Sequence, residues 1–328
     1  MTMRFVLSEG LFADPAVERE YLAERSVELD VAALREPDQI AAATADADGI
    51  ILGTTPMRAS QIAALGERVR IIGRPGVGLD SLDLDAAADR GVAVVHCPDY
   101  CVEEVATHAL ALGLALVRGV VAGDAIARMD WARWPEVGAL RPLSELTVGI
   151  VGCGRIGRVV AERFRPLARE VIAFDRHPDR LPDGVRPAES LEALLGAADL
   201  VSLHMPVTPQ TAGLIGERQL AAMKPDAFLV NVSRGRLVDE EALAAALHLG
   251  RLAGAALDVL VDEPPAPDAA ILGAPNVLLT PHVAWYSTES ERRARITTVD
   301  AMLDYLAGTA PRGGRLAVDP GAARDVSP

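Results

Sequence analysis

Two groups of residues in this chain have the types and spacing to do chemistry. The first is Gly152-Cys153-Gly154-Arg155-Ile156-Gly157, directly after the apolar run Val148-Gly149-Ile150-Val151. In a GxGxxG segment between a strand and a helix, the first glycine permits the tight turn. The second lets the backbone approach a pyrophosphate, and the third lets helix and strand pack closely. The helix N-terminus adds free N–H groups and a positive dipole. Asp175 closes the next predicted strand, 18 residues after Gly157. A carboxylate there accepts hydrogen bonds from a ribose diol and repels a 2′-phosphate, which favours NAD over NADP. Arg176 and His177 follow at once and weaken that preference slightly.

The second group is Arg234, Glu263 and His282, each just beyond a predicted strand. Ligands of open α/β sheets bind beyond the carboxyl ends of the strands, so the three can converge where a nicotinamide would lie. A guanidinium there holds a carboxylate through two parallel hydrogen bonds. An imidazole exchanges a proton with a carbonyl or hydroxyl oxygen, and a carboxylate beside it fixes its tautomer. Taken singly, each has a bland reading: a surface cation, a satisfied loop histidine, a solvated glutamate. Their joint placement beside a dinucleotide turn points to hydride transfer on a 2-hydroxy acid.

The elements that must position these groups follow from hydrophobic patterning. Short runs rich in Val and Ile alternate with Ala-rich helical stretches, the pattern of parallel sheets covered by helices. Candidate strands are 4–8, 49–54, 69–73 and 92–96, then 147–151, 171–175, 200–204, 228–231, 254–258 and 277–280. The last six, with the glycine turn after the first of them, describe a dinucleotide-binding doubly wound fold. A long helix is expected from Val102 to about Val121, with another over 287–306, and the last twenty residues read as a loosely held tail.

Length and composition bound the alternatives. The chain has 328 residues, enough for about two domains. Lys+Arg is 32 and Asp+Glu is 46, a formal net charge of −14. That balance argues against nonspecific contact with nucleic acid or an anionic membrane. Only Lys224 among the basic residues is a lysine, and Pro225 follows it, which excludes a Walker phosphate loop. The three cysteines, Cys97, Cys101 and Cys153, form no CxxC, so neither a zinc site nor a disulfide framework is expected and reduced thiols are the default. The first residues carry an apolar run too short for a signal peptide, and the longest apolar stretch, 109–117, is about half a membrane span. A cytoplasmic protein is the expectation.

In this order, Gly76-Val77-Gly78-Leu79-Asp80, residues 148–157, His204-Met205-Pro206-Val207-Thr208-Pro209-Gln210-Thr211, Met223-Lys224-Pro225, residues 231–239, residues 258–264 and Thr280-Pro281-His282 resemble the D-isomer-specific 2-hydroxyacid dehydrogenase family. The resemblance covers about residues 45–307. It implies that Arg234 binds the substrate carboxylate and carbonyl, that His282 is the general acid in reduction, and that Glu263 is its partner. It puts Asp258 against the nicotinamide carboxamide and the backbone of Val77 and Gly78 around the substrate carboxylate. His204, Pro206, Thr211 and Val232 would line the cofactor site. Residues 284–287, 98–106 and 74–76 are similar to the branch containing the C-terminal-binding proteins and phosphoglycerate dehydrogenases, where Arg74, Tyr100 and Trp285 would reach the substrate. Small polar residues are usual in the family at Tyr100 and Cys101.

The resemblance also implies two doubly wound parallel-sheet domains. A Rossmann NAD domain, 99–284, would be inserted into a flavodoxin-like substrate domain built from 1–98 and 285–328. It further implies a homodimer through the NAD domain, using the long helix from Val102 and the arm at 129–134. The leading expectation is an NAD-dependent oxidoreductase acting on a small anionic 2-oxo or 2-hydroxy acid. The alternatives are an NAD(H)-sensing, corepressor-like binding protein with little turnover, or a dehydrogenase of a non-carboxylate anion such as phosphite.

Overall fold

The structure of the protein, a computed structural model, describes residues 2–12, 14–53 and 55–321. In chain order the strands are β1 (Met3–Ser8), β2 (Val27–Ala32), β3 (Gly49–Ile51), β4 (Ile71–Arg74), β5 (Ala93–His96), β6 (Thr147–Val151), β7 (Glu170–Phe174), β8 (Val185–Pro187), β9 (Leu200–Leu203), β10 (Phe228–Asn231), β11 (Gly254–Leu257), β12 (Val277–Leu279) and β13 (Arg315–Val318). The chain divides into two compact units. One takes the described residues up to Cys101 and those from Ser287 onward; the other is Val102–Tyr286.

The first unit holds a six-stranded sheet in the order β13-β5-β4-β3-β1-β2. Its five N-terminal strands are parallel, in the 2-1-3-4-5 order of flavodoxin-like folds, and β13 joins β5 antiparallel. Successive residues of a strand face opposite sides of a sheet, so each strand feeds two cores. Phe5, Leu7, Ile51 and Ile71 pack with Val299 and Met302 of the helix Thr288–Leu306. Val6, Ile50, Ile72 and Val94 pack with Ile40, Ile62 and Leu65 on the other face. Gly73 has no side chain because a Cβ there would stand 2.4 Å from Met302 Sδ.

The second unit holds seven parallel strands in the order β12-β11-β10-β9-β6-β7-β8. The order reverses at β6, beside β9, and that reversal opens a crevice at the strands' carboxyl ends. Central strands such as β6 and β9 are buried on both faces. Asp239 caps the helix Glu240–His248 by accepting from the Ala242 N–H at 3.0 Å, which starts that helix directly after the loop bearing Arg234.

Several sequence expectations need correction. The long helix stops at Val117. Gly119 adopts the left-handed conformation, φ +57°, and a separate helix, Val120–Met129, leaves at 53° to the first. The tail is partly structured, because β13 lies within it and pairs with β5. Residues 322–328, and Thr54 at the end of the expected 49–54 strand, lie outside the described residues. The second sheet gains β8 as a seventh strand, and β2 joins the first; both are short or charge-bearing edge strands whose pairing comes from a neighbour. Cys97, Cys101 and Cys153 are buried and form no disulfide. Among the described residues no single helix is long and apolar enough to cross a membrane.

The chain's one lysine has a structural task. Asp199 is buried; it accepts from Lys224 Nζ at 2.8 Å, Arg141 Nη1 at 3.0 Å and the Thr147 N–H at 2.7 Å. Burial opposes ionisation, but Lys224, the Thr147 N–H and Arg141 together hold the carboxyl below the usual range. A carboxylate with a depressed folded pKa contributes stability above its unfolded pKa and loses it as pH falls through the folded value. Asp199→Asn is therefore expected to cost about 2–4 kcal/mol at neutral pH. In urea titrations the deficit should shrink as the solution is acidified below the ordinary carboxylate range. A deficit independent of pH would count against this account.

Candidate active site

The glycine-rich turn leaves β6 with Gly152 at φ +88°. A Cβ on Gly152 would also stand 2.7 Å from the His204 carbonyl oxygen, and one on Gly157 would stand 2.1 Å from the Gly152 carbonyl oxygen. These two glycines are therefore required by the fold. Gly154 differs: a Cβ there meets nothing within 4 Å, and the residue is solvent-exposed at the start of the helix Arg155–Phe164. The second glycine's task in the motif, open backbone facing an anion, is met there. Arg155 is exposed beside it and Ile156 is half-buried. Asp175, one residue past β7, accepts from the Cys153 N–H at 2.7 Å and the His177 N–H at 2.8 Å, which fixes its carboxylate against the turn.

His204 follows β9, and its N–H donates to Val151 O at 2.7 Å. Its Nε2 lies 2.8 Å from Ser202 Oγ, while Nδ1 is buried and has no protein partner. Burial pushes its pKa down to about 3, so the ring is neutral. Thr211 accepts from the Thr208 N–H at 2.7 Å and donates to Pro206 O at 2.8 Å, closing the loop that follows. Val232 is buried beneath the end of β10. An open anion-facing turn, a carboxylate one strand over and an orphaned buried ring nitrogen all fit a dinucleotide. Gly154→Ala should accordingly keep the wild-type melting temperature but weaken NADH about 10-fold or more, read by fluorescence titration. Unchanged affinity would remove Gly154 from the cofactor site.

Three loops then bring the charged residues together. After β10, Asn231 donates from Nδ2 to Arg234 O at 2.8 Å and accepts from the Ser233 N–H at 3.0 Å, folding a tight loop that presents Arg234. Arg234 Nη1 donates to Ser233 O at 2.7 Å. The next residue must be glycine, because a Cβ on Gly235 would stand 1.9 Å from the Leu260 carbonyl carbon. That close approach sets the Arg234 loop against the loop carrying Glu263. Glu263 Oε1 accepts from the Leu260 N–H at 3.0 Å, and its Oε2 lies 2.6 Å from His282 Nδ1. Burial raises the Glu263 carboxyl, but the His282 hydrogen bond and charge, the Leu260 N–H and the Arg234 charge more than offset that and hold it below the usual range. Glu263 is thus the acceptor, and Nδ1 of His282 carries the proton between them.

His282 sits at φ +54°, a conformation uncommon outside glycine. Asp258 holds it there. Its main-chain oxygen accepts from the His282 N–H at 2.8 Å, and its buried carboxylate accepts from the Val283 N–H at 2.9 Å and the Ala284 N–H at 2.9 Å. The Asp258 side chain thus has a loop-holding task. Trp285 stacks edge-on against Tyr286, 5.5 Å between ring centres.

Sequence reasoning missed Glu240. Its carboxylate accepts from the Val261 N–H at 2.5 Å and so supports the Glu263 loop, and burial lifts its pKa. A second acidic residue just after the Asp239 cap was the available signal.

The remaining predicted residues lie in the first unit. Arg74 ends β4, and its guanidinium lies over Gly76, where a Cβ would meet Nη1 at 2.9 Å. The Val77 carbonyl lies 3.0 Å from His96 Nδ1, and Val77 and Gly78 are half-buried. Tyr100 is 8% exposed, and burial raises its phenol pKa. Its carbonyl accepts from Arg293.

Comparison with known proteins agrees with this arrangement. Residues 110–284 match the model of the D-isomer specific 2-hydroxyacid dehydrogenase NAD binding domain. The chain is 39% identical over 274 residues to D-3-phosphoglycerate dehydrogenase of Mycobacterium bovis, covering 83% of this chain and 51% of that protein. It is 34% identical to glycerate dehydrogenase of Methylorubrum extorquens, covering 83% of this chain and 87% of that protein. A crystal structure of a Thermus thermophilus protein superposes with a TM-score of 0.85 at 37% identity, over 96% of this chain and 100% of that one. The chain spans about half the length of the phosphoglycerate dehydrogenases it matches. With its doubly wound sheets, its dinucleotide turn and these relatives, the chain belongs to the D-isomer-specific 2-hydroxyacid dehydrogenase family, in its phosphoglycerate-dehydrogenase-like branch.

Proposed function

We propose that the protein is an NAD-dependent dehydrogenase that interconverts a small 2-oxo acid and its D-2-hydroxy acid. The observation that carries the reading is the 2.6 Å contact between His282 Nδ1 and Glu263, on loops seated against Arg234 at the carboxyl edge of a dinucleotide-binding sheet. Bound NADH supplies the hydride that reduces C2. Nδ1 of His282 is committed to Glu263, which leaves Nε2 to give its proton to the carbonyl oxygen as C2 becomes tetrahedral. Glu263 holds the ring in this tautomer. Arg234 binds the substrate carboxylate with its planar fork, which suits a carboxylate better than an ammonium does. Oxidation of the hydroxy acid runs the same steps in reverse, with neutral His282 taking the hydroxyl proton.

Arg234 is the local cation of the site in the second unit. A net charge of −14 makes this local cation more important, because a small anion must enter against the global field. Asp175 sets the preference for NAD over NADP by meeting a ribose diol and repelling a 2′-phosphate. The test is a panel: glyoxylate and hydroxypyruvate with NADH or NADPH, and D-glycerate and D-3-phosphoglycerate with NAD. Turnover of at least one acid, faster with the unphosphorylated cofactor, supports the reading. NADH binding with no turnover across the panel supports the sensor reading instead.

Assembly belongs to the same proposal. Trp131 and Trp134 are 80% and 71% exposed, beside exposed Met129, Val120 and Val121. They do not cover the chain's own core, and an apolar patch of this kind marks an interface. A second copy of the chain is the expected occupant, giving a homodimer through the NAD domain. Light scattering should give the mass of two chains for the wild type and of one chain for Trp131→Glu/Trp134→Glu. A wild-type monomer would end the idea.

A further inference from the structure

The loop bearing His282 is strapped to Asp258, and Asp258 ends a longer chain of hydrogen bonds. Its outer member is His108, on the helix Val102–Val117. His108 Nε2 lies 3.0 Å from Thr280 Oγ1, and Thr280 Oγ1 donates to Asp258 Oδ1 at 2.5 Å. The direct His108–Asp258 separation, 3.6 Å, is too long for a hydrogen bond, so any coupling passes through Thr280. A hydroxyl has one proton to give. Both Asp258 oxygens already accept main-chain N–H groups, so Thr280 spends that proton on Asp258 and must accept from His108 Nε2–H. Every bond in the chain therefore has a fixed direction, from His108 to Thr280 to Asp258, and such chains polarise their members.

Asp258 in turn grips the Val283 and Ala284 N–H groups through its side chain and the His282 N–H through its carbonyl. These bonds hold His282 in its left-handed conformation, which persists only where the surroundings over-determine it. The neighbours of His108 on its helix, Val105, Ala109 and Leu112, are buried and apolar, so packing alone would accept a leucine at 108.

We propose that His108 is a positioning residue for His282, acting through Thr280 and Asp258. The inference rests on the reading of His282 as proton donor. A displaced loop misaligns the imidazole, and a misplacement of about 1 Å costs up to about 10²-fold in rate. His108→Leu is expected to lower kcat by about 10- to 100-fold, with NADH affinity and melting temperature near wild type. His108→Gln, whose side-chain amide can donate to Thr280 in place of Nε2–H, is expected to recover most of the loss. Thr280→Val should lose as much as His108→Leu, and the double variant should lose no more than Thr280→Val alone.

Wild-type kcat in His108→Leu, no rescue by glutamine, or additive losses in the double variant would each overturn the proposal. Histidine C–H resonances, with His282 assigned through His282→Gln, give a readout free of turnover. Should the wild type reduce no acid in the panel, the dehydrogenase reading fails. The coupling then stands if the His282 signal shifts in His108→Leu and returns in His108→Gln, and falls if it does not move.

Discussion

His282→Ala is expected to lower kcat by about 10²- to 10⁴-fold, the range that general acid–base groups contribute, while NADH binds within a few-fold of wild type. The separation of effects follows from position. His282 lies on the loop after β12, whereas the dinucleotide turn lies after β6. Removing the imidazole also leaves Glu263 half-exposed, a tolerable position for a carboxylate, so the variant should fold. The pH dependence has a stated sign. Glu263 is held below the ordinary carboxyl range, so it stays ionised and keeps its grip on Nδ1 down through mildly acid pH. Activity dependent on that grip should fail only as pH falls through the lowered value, and Glu263→Gln should remove this acid limb. Stopped-flow or steady-state turnover on the best acid of the panel, with fluorescence titration of NADH, decides the matter. Wild-type kcat in His282→Ala would end the assignment of the proton donor.

The second large effect is on stability. Glu18→Ala should destabilise the first unit by about 3–5 kcal/mol, the cost of leaving one member of a buried ion pair without its partner. Glu18 is 1% exposed and Arg295 is 6% exposed. Arg295 Nε donates to Glu18 Oε1 at 2.6 Å, its Nη1 to Glu291 at 3.0 Å, and its Nη2 to both Glu18 and the Asp14 carbonyl. The guanidinium carbon also lies 4.2 Å from the centre of the Phe12 ring. The pair ties the helix Ala16–Ala23 to the helix Thr288–Leu306, segments some 277 residues apart in the chain. A loss of this size is a large part of the stability of a typical domain. Urea unfolding followed by circular dichroism measures it. Glu18→Ala/Arg295→Leu should be less harmed than Glu18→Ala, because no buried guanidinium is then left with Glu291 as its one carboxylate partner. A single-variant loss below about 1 kcal/mol would show that water reaches Arg295 readily.

Much of the site was legible in the sequence because its residues are dictated locally. Gly152 needs a positive φ, Gly157 needs contact with the turn it follows, and Gly154 needs open backbone; each is a steric demand met within six residues. The strand cores were legible because burial on both faces requires continuous apolar runs. Arg234, Glu263 and His282 could be aligned because each follows a recognisable strand, and parallel strands put their carboxyl ends on one edge.

The tertiary structure decided what depends on partners far along the chain. Edge strands β2, β8 and β13 carry charged or polar residues, and their strand state comes from a neighbour's free N–H and C=O groups. The break at Gly119 was hidden by an apolar run that reads as one helix. Asp258 became a loop anchor, Lys224 the partner of Asp199, and His108 a link to Thr280 only once their elements had packed together. Sequence alone settled which residue types could do the chemistry and on which loops they stand. Their directions and tautomers came from the packed fold, because a hydrogen bond's geometry is set by both partners and composition carries neither distance nor angle.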